Sequence, residues 1–164
     1  MKNGFLQAKN ADSEVREVKY DPARHQQLLL IADPEEAVLE AYIHDCLLFE
    51  YVRSGTVLGV AALLELPDGS VELKNIAVSP QAQRRGVGSA LIRFVKGRVG
   101  SRRLIVGTAD VSSEALSFYE RNGFVRFGTI KNFFVDHYSE PVFDEGHLCR
   151  DMILLEHCCG DERP

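Results

Sequence analysis

No stretch of this chain reaches the roughly 18 consecutive apolar residues of a membrane-spanning helix, so no spanning segment is expected. The first ten residues, Met1 to Asn10, hold neither an apolar core nor a cleavage site, which argues against a secretory leader. Cysteine is scarce. Cys46, Cys149, Cys158 and Cys159 have the spacing of neither a disulfide framework nor a zinc pair-of-pairs. His147-x-Cys149 and His157-Cys158-Cys159 do gather metal-ligating side-chain types. The simpler reading is a buried Cys149 on a strand and two thiols near a tail, and no metal is assigned. Basic charge is also in short supply. Nineteen Lys and Arg against 24 Asp and Glu give a net charge of −5, which argues against nucleic acid as the main partner, since phosphate backbones want a basic face. The acidic balance leaves room for a cationic substrate. The expected setting is the cytoplasm, with no membrane partner.

What is there suffices for one domain, 1–164, with a proper core: 164 residues, 45% of them hydrophobic and 26% charged. Residues 1–13 and 157–164 are expected to be loose. Val15 to Tyr20 alternates as a strand. Asp21-Pro22 starts a helix that runs to about Ile31, and Asp33-Pro34-Glu35-Glu36 repeats that grammar before the stripe Val38, Leu39, Tyr42, Ile43. Three strands follow, Cys46–Val52, Val57–Leu66 and Val71–Val78, joined by turns at Ser54-Gly55 and Pro67–Ser70. A helix then lasts to about Val99, and Leu104–Val106 is a short buried strand. Ser112 or Ser113 caps a helix carrying Leu116, Phe118 and Tyr119 that stops at Asn122-Gly123. Phe124–Phe134 reads as a strand, 136–146 as an irregular loop and His147–Leu155 as the last strand. The order β-α-α-β-β-β-α-β-α-β-β predicts an α/β fold with a mixed sheet. Its fourth and fifth strands are parallel, because a helix connects them.

The centre of this order is the loop Gln83-Arg84-Arg85-Gly86-Val87-Gly88, between the fourth strand and the helix beginning near Ala90. Free N–H groups at a helix start bind anions, and glycines let a ligand approach the backbone. Two arginines in a first helical turn would oppose the macrodipole by roughly 0.3–1 kcal/mol each, a conflict that an anion there would relieve. A dinucleotide site lacks its third glycine, the residue three after Gly88 being Leu91. A P-loop lacks its Gly-Lys-Ser/Thr. A phosphate of another ligand and a purely structural loop remain.

The loop fits the Q/R-x-x-G-x-G/A signature of the GNAT N-acetyltransferase superfamily. Ala115-Leu116-Ser117-Phe118-Tyr119-Glu120-Arg121-Asn122-Gly123-Phe124 resembles that family's A-x-x-F/L-Y-x-x-x-G-F segment, in the right order and separation. The chain resembles the family almost throughout. The last strand, around Cys149-Arg150-Asp151-Met152-Ile153-Leu154, is similar to a branch of small bacterial members. The resemblance implies acetyl-CoA as acyl donor, lying in a splay between strands four and five. The pyrophosphate would sit on the amides of Arg84, Arg85, Gly86, Val87, Gly88 and Ser89, beside Gln83. The pantetheine would pair with the edge of strand four at Ile76, Ala77 and Val78. An amide near Val78 would face the thioester carbonyl.

Tyr119 matches the family's tyrosine that protonates the departing thiolate; the competing reading is a ring packed in a helix face. Glu72 matches the general base of the histone-acetyltransferase branch; alternatively it is a sheet-face carboxylate paired with Lys74. The base position used by other members is here Ile105. Ser112 stands where the family often has a cofactor-contacting asparagine, with Asp110 two residues earlier; the serine either contacts the cofactor or only caps. The acceptor side would draw on Tyr42, His44, Asp45, Asp136, His137, Tyr138, Glu140, Asp144 and Glu145, an acid-rich set suited to an amine. The implied function is N-acetyl transfer to a primary amine of a small molecule or peptide by direct attack. The alternative is a non-catalytic acyl-CoA-binding regulatory module. The oligomer is left open, a homodimer included.

Overall fold

A computed structural model describes residues 12–159. Residues 1–11 and 160–164, expected to be loose, lie outside them. Ser13 and His157, also assigned to the loose ends, instead terminate strands. The elements run β1 (Ser13–Val18), α1 (Pro22–Ala32), α2 (Glu36–Ile43), β2 (Leu47–Arg53), β3 (Thr56–Glu65), β4 (Val71–Val78), a 3₁₀ turn (Pro80–Ala82), α3 (Val87–Val99), β5 (Leu104–Ala109), α4 (Ser113–Arg121), β6 (Val125–Ile130), α5 (Phe133–His137), β7 (Phe143–Asp144), β8 (His147–Leu148) and β9 (Met152–His157). Among the described residues no helix is long and apolar enough to cross a membrane.

Seven strands form one twisted sheet in the order β1-β2-β3-β4-β5-β9-β6, and β7 and β8 form a separate hairpin. Among the described residues only β4 and β5 are parallel, as the helical crossover between them requires. On one face α3 and α4 close a core of Phe49, Leu63, Leu73, Leu91, Leu104 and Leu155; on the other α1 and α2 close one of Leu29, Leu39, Leu48 and Ala62. Burying each such leucine contributes roughly 1.5–3 kcal/mol.

Local grammar explains the regular parts. Asp21 caps α1, its carboxylate accepting from the Ala23 amide at 3.0 Å, with Pro22 at the first helical position. Ser54-Gly55, with φ of 48° and 78°, is the two-residue turn that suits hairpin twist. β4 spans Val71–Val78, as its alternation predicts.

Four expectations need correction. Asp33 does not cap α2. It ends α1, and α2 starts after Glu35, because the Asp33 carboxylate is drawn inward by two tyrosine hydroxyls. The strand expected over 124–134 stops at Ile130. Asn132 turns left-handed at φ 57°, its amide donates to Asp151, and the apolar pair Phe133-Phe134 begins α5 instead. The last strand is Met152–His157, and His147–Leu148 belongs to the small hairpin. Buried Cys149 therefore lies between strands, its amide donating to Val142. α5 and the hairpin also interrupt the loop expected over 136–146, adding three elements to the predicted order.

The feature that shapes the site is a β-bulge. Ala62 pairs with Asn75 but Leu63 pairs with Leu73, so Lys74 is an extra residue on β4. The bulge inverts the strand's facing. Val71 and Leu73 join the α3/α4 core, whereas Ala77 joins the α1/α2 core. The last parallel pair with β5 is Leu73 with Val106. The two strands therefore part at the bulge.

Candidate active site

The loop after β4 is built as a cradle. Gly86 holds φ 81° and is the N-cap of α3, without a side-chain cap. The N–H groups of Val87, Gly88 and Ser89 find no acceptor among the described residues, as the first turn of a helix leaves them. A Cβ on Gly88 would lie 3.1 Å from the Phe118 ring, so this glycine also lets α4 close on α3. Arg84 and Arg85 precede the helix instead of occupying its first turn, which corrects the expected conflict with the macrodipole. Arg84, left-handed at φ 59°, reaches Glu114 of α4 at 3.0 Å in an exposed pair. Arg85 is exposed, and Gln83 donates to the Val78 carbonyl at 3.2 Å, folding the loop back on the strand end.

Next to this cradle, the edge of β4 from Lys74 through Ile76, Ala77 and Val78 is unpaired on its β5 side among the described residues. Glu72 and Lys74 lie on the α1/α2 face, 3.6 Å apart and each about a quarter exposed (26%), so the anticipated pair forms. Lys74 also stands 4.9 Å above the Tyr42 ring.

Tyr119 comes from the opposite face. It is buried in the α3/α4 core, edge-on to Phe118 and Phe124. Burial pushes its phenol well above the ordinary value, so it keeps its proton throughout the neutral range. Among the described residues its hydroxyl has no hydrogen-bond partner. Ring packing and a protonated hydroxyl are thus both present.

Ser112 is nearly sealed, and its hydroxyl donates to Asp144 of the hairpin. Asp110 accepts from the Arg150 amide at 3.2 Å. Both side chains thus hold the segment before β9 in place. The cap of α4 is neither Ser112 nor Ser113 but Glu145, which accepts from the Ser113 and Glu114 amides at 3.0 Å each.

Tyr42 and Tyr138, two of the residues expected to face an acceptor, meet on Asp33. Their hydroxyls donate to its two oxygens at 3.1 and 2.9 Å, and Ser139 donates its amide to Glu35 at 3.1 Å. Burial raises the Asp33 carboxyl although both tyrosines lower it, and burial first, then Asp33, raises both phenols. Asn75 donates to the Leu29 carbonyl and to the Tyr42 hydroxyl, and its own oxygen is buried without a partner among the described residues. Sequence reading leaves Asp33 and Asn75 out of this group; Asp33 is disguised as a cap, and Asn75 faces this way only because of the bulge. Of the remaining predicted set, His44 pairs with Glu40 in solvent, and Asp45, Asp136, His137 and Glu140 are exposed. Among the described residues no group of three His, Cys, Asp or Glu side chains could hold a metal ion.

A mixed sheet whose two parallel strands part beside a helix start free to bind an anion defines an acyltransferase of the GNAT type. The profile described as Acetyltransferase (GNAT) domain matches residues 44–126, and the chain belongs to the GNAT acetyltransferase family. It is 32% identical over 131 residues to an uncharacterized N-acetyltransferase, YvbK, of Bacillus subtilis strain 168, covering 78% of this chain and 84% of that protein. Among solved structures it resembles an IAA acetyltransferase from Bacillus cereus ATCC 14579, at 33% identity and TM-score 0.83 over 90% of this chain and 99% of that one. A GNAT family acetyltransferase from Elizabethkingia anophelis with acetyl-CoA bound is 29% identical, with TM-score 0.84, over 92% of this chain and all (100%) of that one.

Proposed function

We propose that the chain is a single-domain N-acetyltransferase that moves the acetyl group of acetyl-CoA to a primary amine of a small molecule or peptide. The observation that carries this reading is the parting of β4 and β5 beside the unsatisfied first turn of α3. Acetyl-CoA supplies the activated acetyl group as a thioester. The amides from Arg84 to Ser89 hold its pyrophosphate, with Arg84 and Arg85 as charged partners. The free edge of Ile76–Val78 pairs with the pantetheine, and an amide near Val78 polarises the acetyl carbonyl. Glu72, on the α1/α2 face, takes the proton of the incoming ammonium through water, because an alkylamine attacks only when neutral. Tyr119, on the α3/α4 face, gives its proton to the departing thiolate. Acid and base thus work from opposite sides of the sheet.

The experiment is a panel of diamines, polyamines, amino acids and lysine-containing peptides with a free-thiol readout, run beside calorimetric binding of acetyl-CoA. Amine-dependent thiol release is expected. Tight binding without release across the panel would point to an acyl-CoA-binding regulatory module, and absence of binding would overturn both readings.

A further inference from the structure

Tyr119 lies in the last turns of α4, a helix of nine residues. Helices that short are not stable by themselves. α4 does not cap its own N-terminus: Ser112, in the N-cap position, makes no capping bond. The cap comes from 31 to 32 residues away. Glu145, at the tip of the β7–β8 hairpin, accepts from the Ser113 amide at 3.0 Å, the Ser113 hydroxyl at 2.7 Å and the Glu114 amide at 3.0 Å. The opposite end is held from α3. Lys96 donates to the Asn122 carbonyl, just past the helix, and stands 5.5 Å over the Phe124 ring, which packs 5.6 Å from the ring of Tyr119. A carboxylate thus meets the positive end of α4 and an ammonium its negative end, the arrangement the macrodipole favours.

The hairpin turn itself shows what this contact costs. Glu145 and Gly146 hold φ of 48° and 78°, a two-residue turn that prefers asparagine, aspartate or glycine at its first position. A glutamate there is a poor turn former, but its longer side chain makes the three bonds to α4. The base of the hairpin is tied down as well, by the Cys149 amide on the Val142 carbonyl at 2.8 Å and the Arg150 amide on Asp110 at 3.2 Å.

We infer that Glu145 and Lys96 are positioning residues that clamp α4 at both ends and so fix Tyr119 for proton donation. The inference rests on the reading of Tyr119 as the acid. It gives the hairpin, which otherwise takes no part in the chemistry, a role in it.

The test uses the full chain with tyrosine labelled at the ring carbon bearing the hydroxyl, the Tyr119 signal being assigned with Tyr119→Phe. Glu145→Ala is expected to shift and broaden that signal. Turnover with an amine from the panel should fall about tenfold while KM for acetyl-CoA stays within about twofold. Glu145→Gln, whose amide oxygen still accepts, should restore most of the turnover. Lys96→Gln perturbs the other end and should move the same signal, so the clamp stays testable should Glu145→Ala fail to fold. An unmoved Tyr119 signal in both variants overturns the clamp whether or not the chain transfers acetyl groups. A moved signal with unchanged turnover overturns its catalytic meaning. Wild-type turnover in Tyr119→Phe overturns the acid assignment instead, which separates the two failures.

Discussion

Glu50 is the carboxylate whose removal should cost this fold most. It lies in the middle of β2, fully buried, facing α1. Arg24 reaches it at 2.8 Å, Arg16 at 2.7 Å and His25 at 3.0 Å, so one charge ties β1 and α1 to β2. Burial alone would raise its pKa. The bonds from Arg24, His25 and Arg16 more than offset that and hold it at about 2, against an ordinary 4.5. At about 1.4 kcal/mol per tenfold ratio, the difference is worth ~3 kcal/mol. Arg16 and Arg24 keep 47% and 40% of their side-chain surface in water, so their part is screened, and about 2–3 kcal/mol is the better expectation.

Glu50→Gln should therefore lower Tm by about 5–10 °C at pH 7, taking about 2–4 °C per kcal/mol for a chain of this size. The pH dependence follows from linkage. The folded pKa is depressed, so between the two pKa values the unfolded state binds more protons and stability rises with pH. Glu50's contribution is complete above about pH 4.5 and fades as pH falls toward 2. Thermal or urea unfolding from pH 2 to 7, wild type against Glu50→Gln, isolates it. Asp68, Asp151, Glu65 and Glu145, which are also held low, cancel in the difference. Wild type and variant should differ at neutral pH and converge near pH 2. Parallel curves, or equal stability at pH 7, would refute the idea that this buried cluster docks α1.

Tyr119→Phe should lower turnover by about 100-fold or more while acetyl-CoA affinity measured by calorimetry hardly changes, since the ring packing survives and only the proton is lost. Glu72→Gln should remove the acidic limb of the pH–rate profile; a limb that persists in the variant leaves Glu72 as the partner of Lys74 alone. Arg85→Ala and Arg84→Gly should weaken acetyl-CoA binding in titrations, and the effect should shrink with added salt. Glycine is chosen at Arg84 because its φ of 59° would penalise alanine. Gly88→Val should abolish binding and destabilise the chain, because its side chain would enter the space of the Phe118 ring.

Much of this molecule is set by short-range chemistry that a sequence displays. Asp21-Pro22 is a helix start wherever it occurs, Ser54-Gly55 is a hairpin turn, and Val71–Val78 alternates with the period of a strand. The glycine spacing of the loop from Gln83 to Gly88 is likewise local, since glycine placement and amide geometry need no distant partner. What the sequence could not display was every feature decided by a residue far along the chain. Asp33 reads as a cap and becomes the anchor of Tyr42 and Tyr138, because the second tyrosine lies 105 positions away. Phe133 and Phe134 read as strand and form a helix, since Asp151 takes the Asn132 amide. The bulge at Lys74 inverts β4 through its register with β3, and register belongs to the pair of strands. α4 is capped by carboxylate and ammonium from elements that only the folded sheet brings to it. Sequence alone determined most of the elements and the glycine-bearing loop after β4; the tertiary structure decided which face each side chain serves, because facing depends on pairing and packing between distant segments.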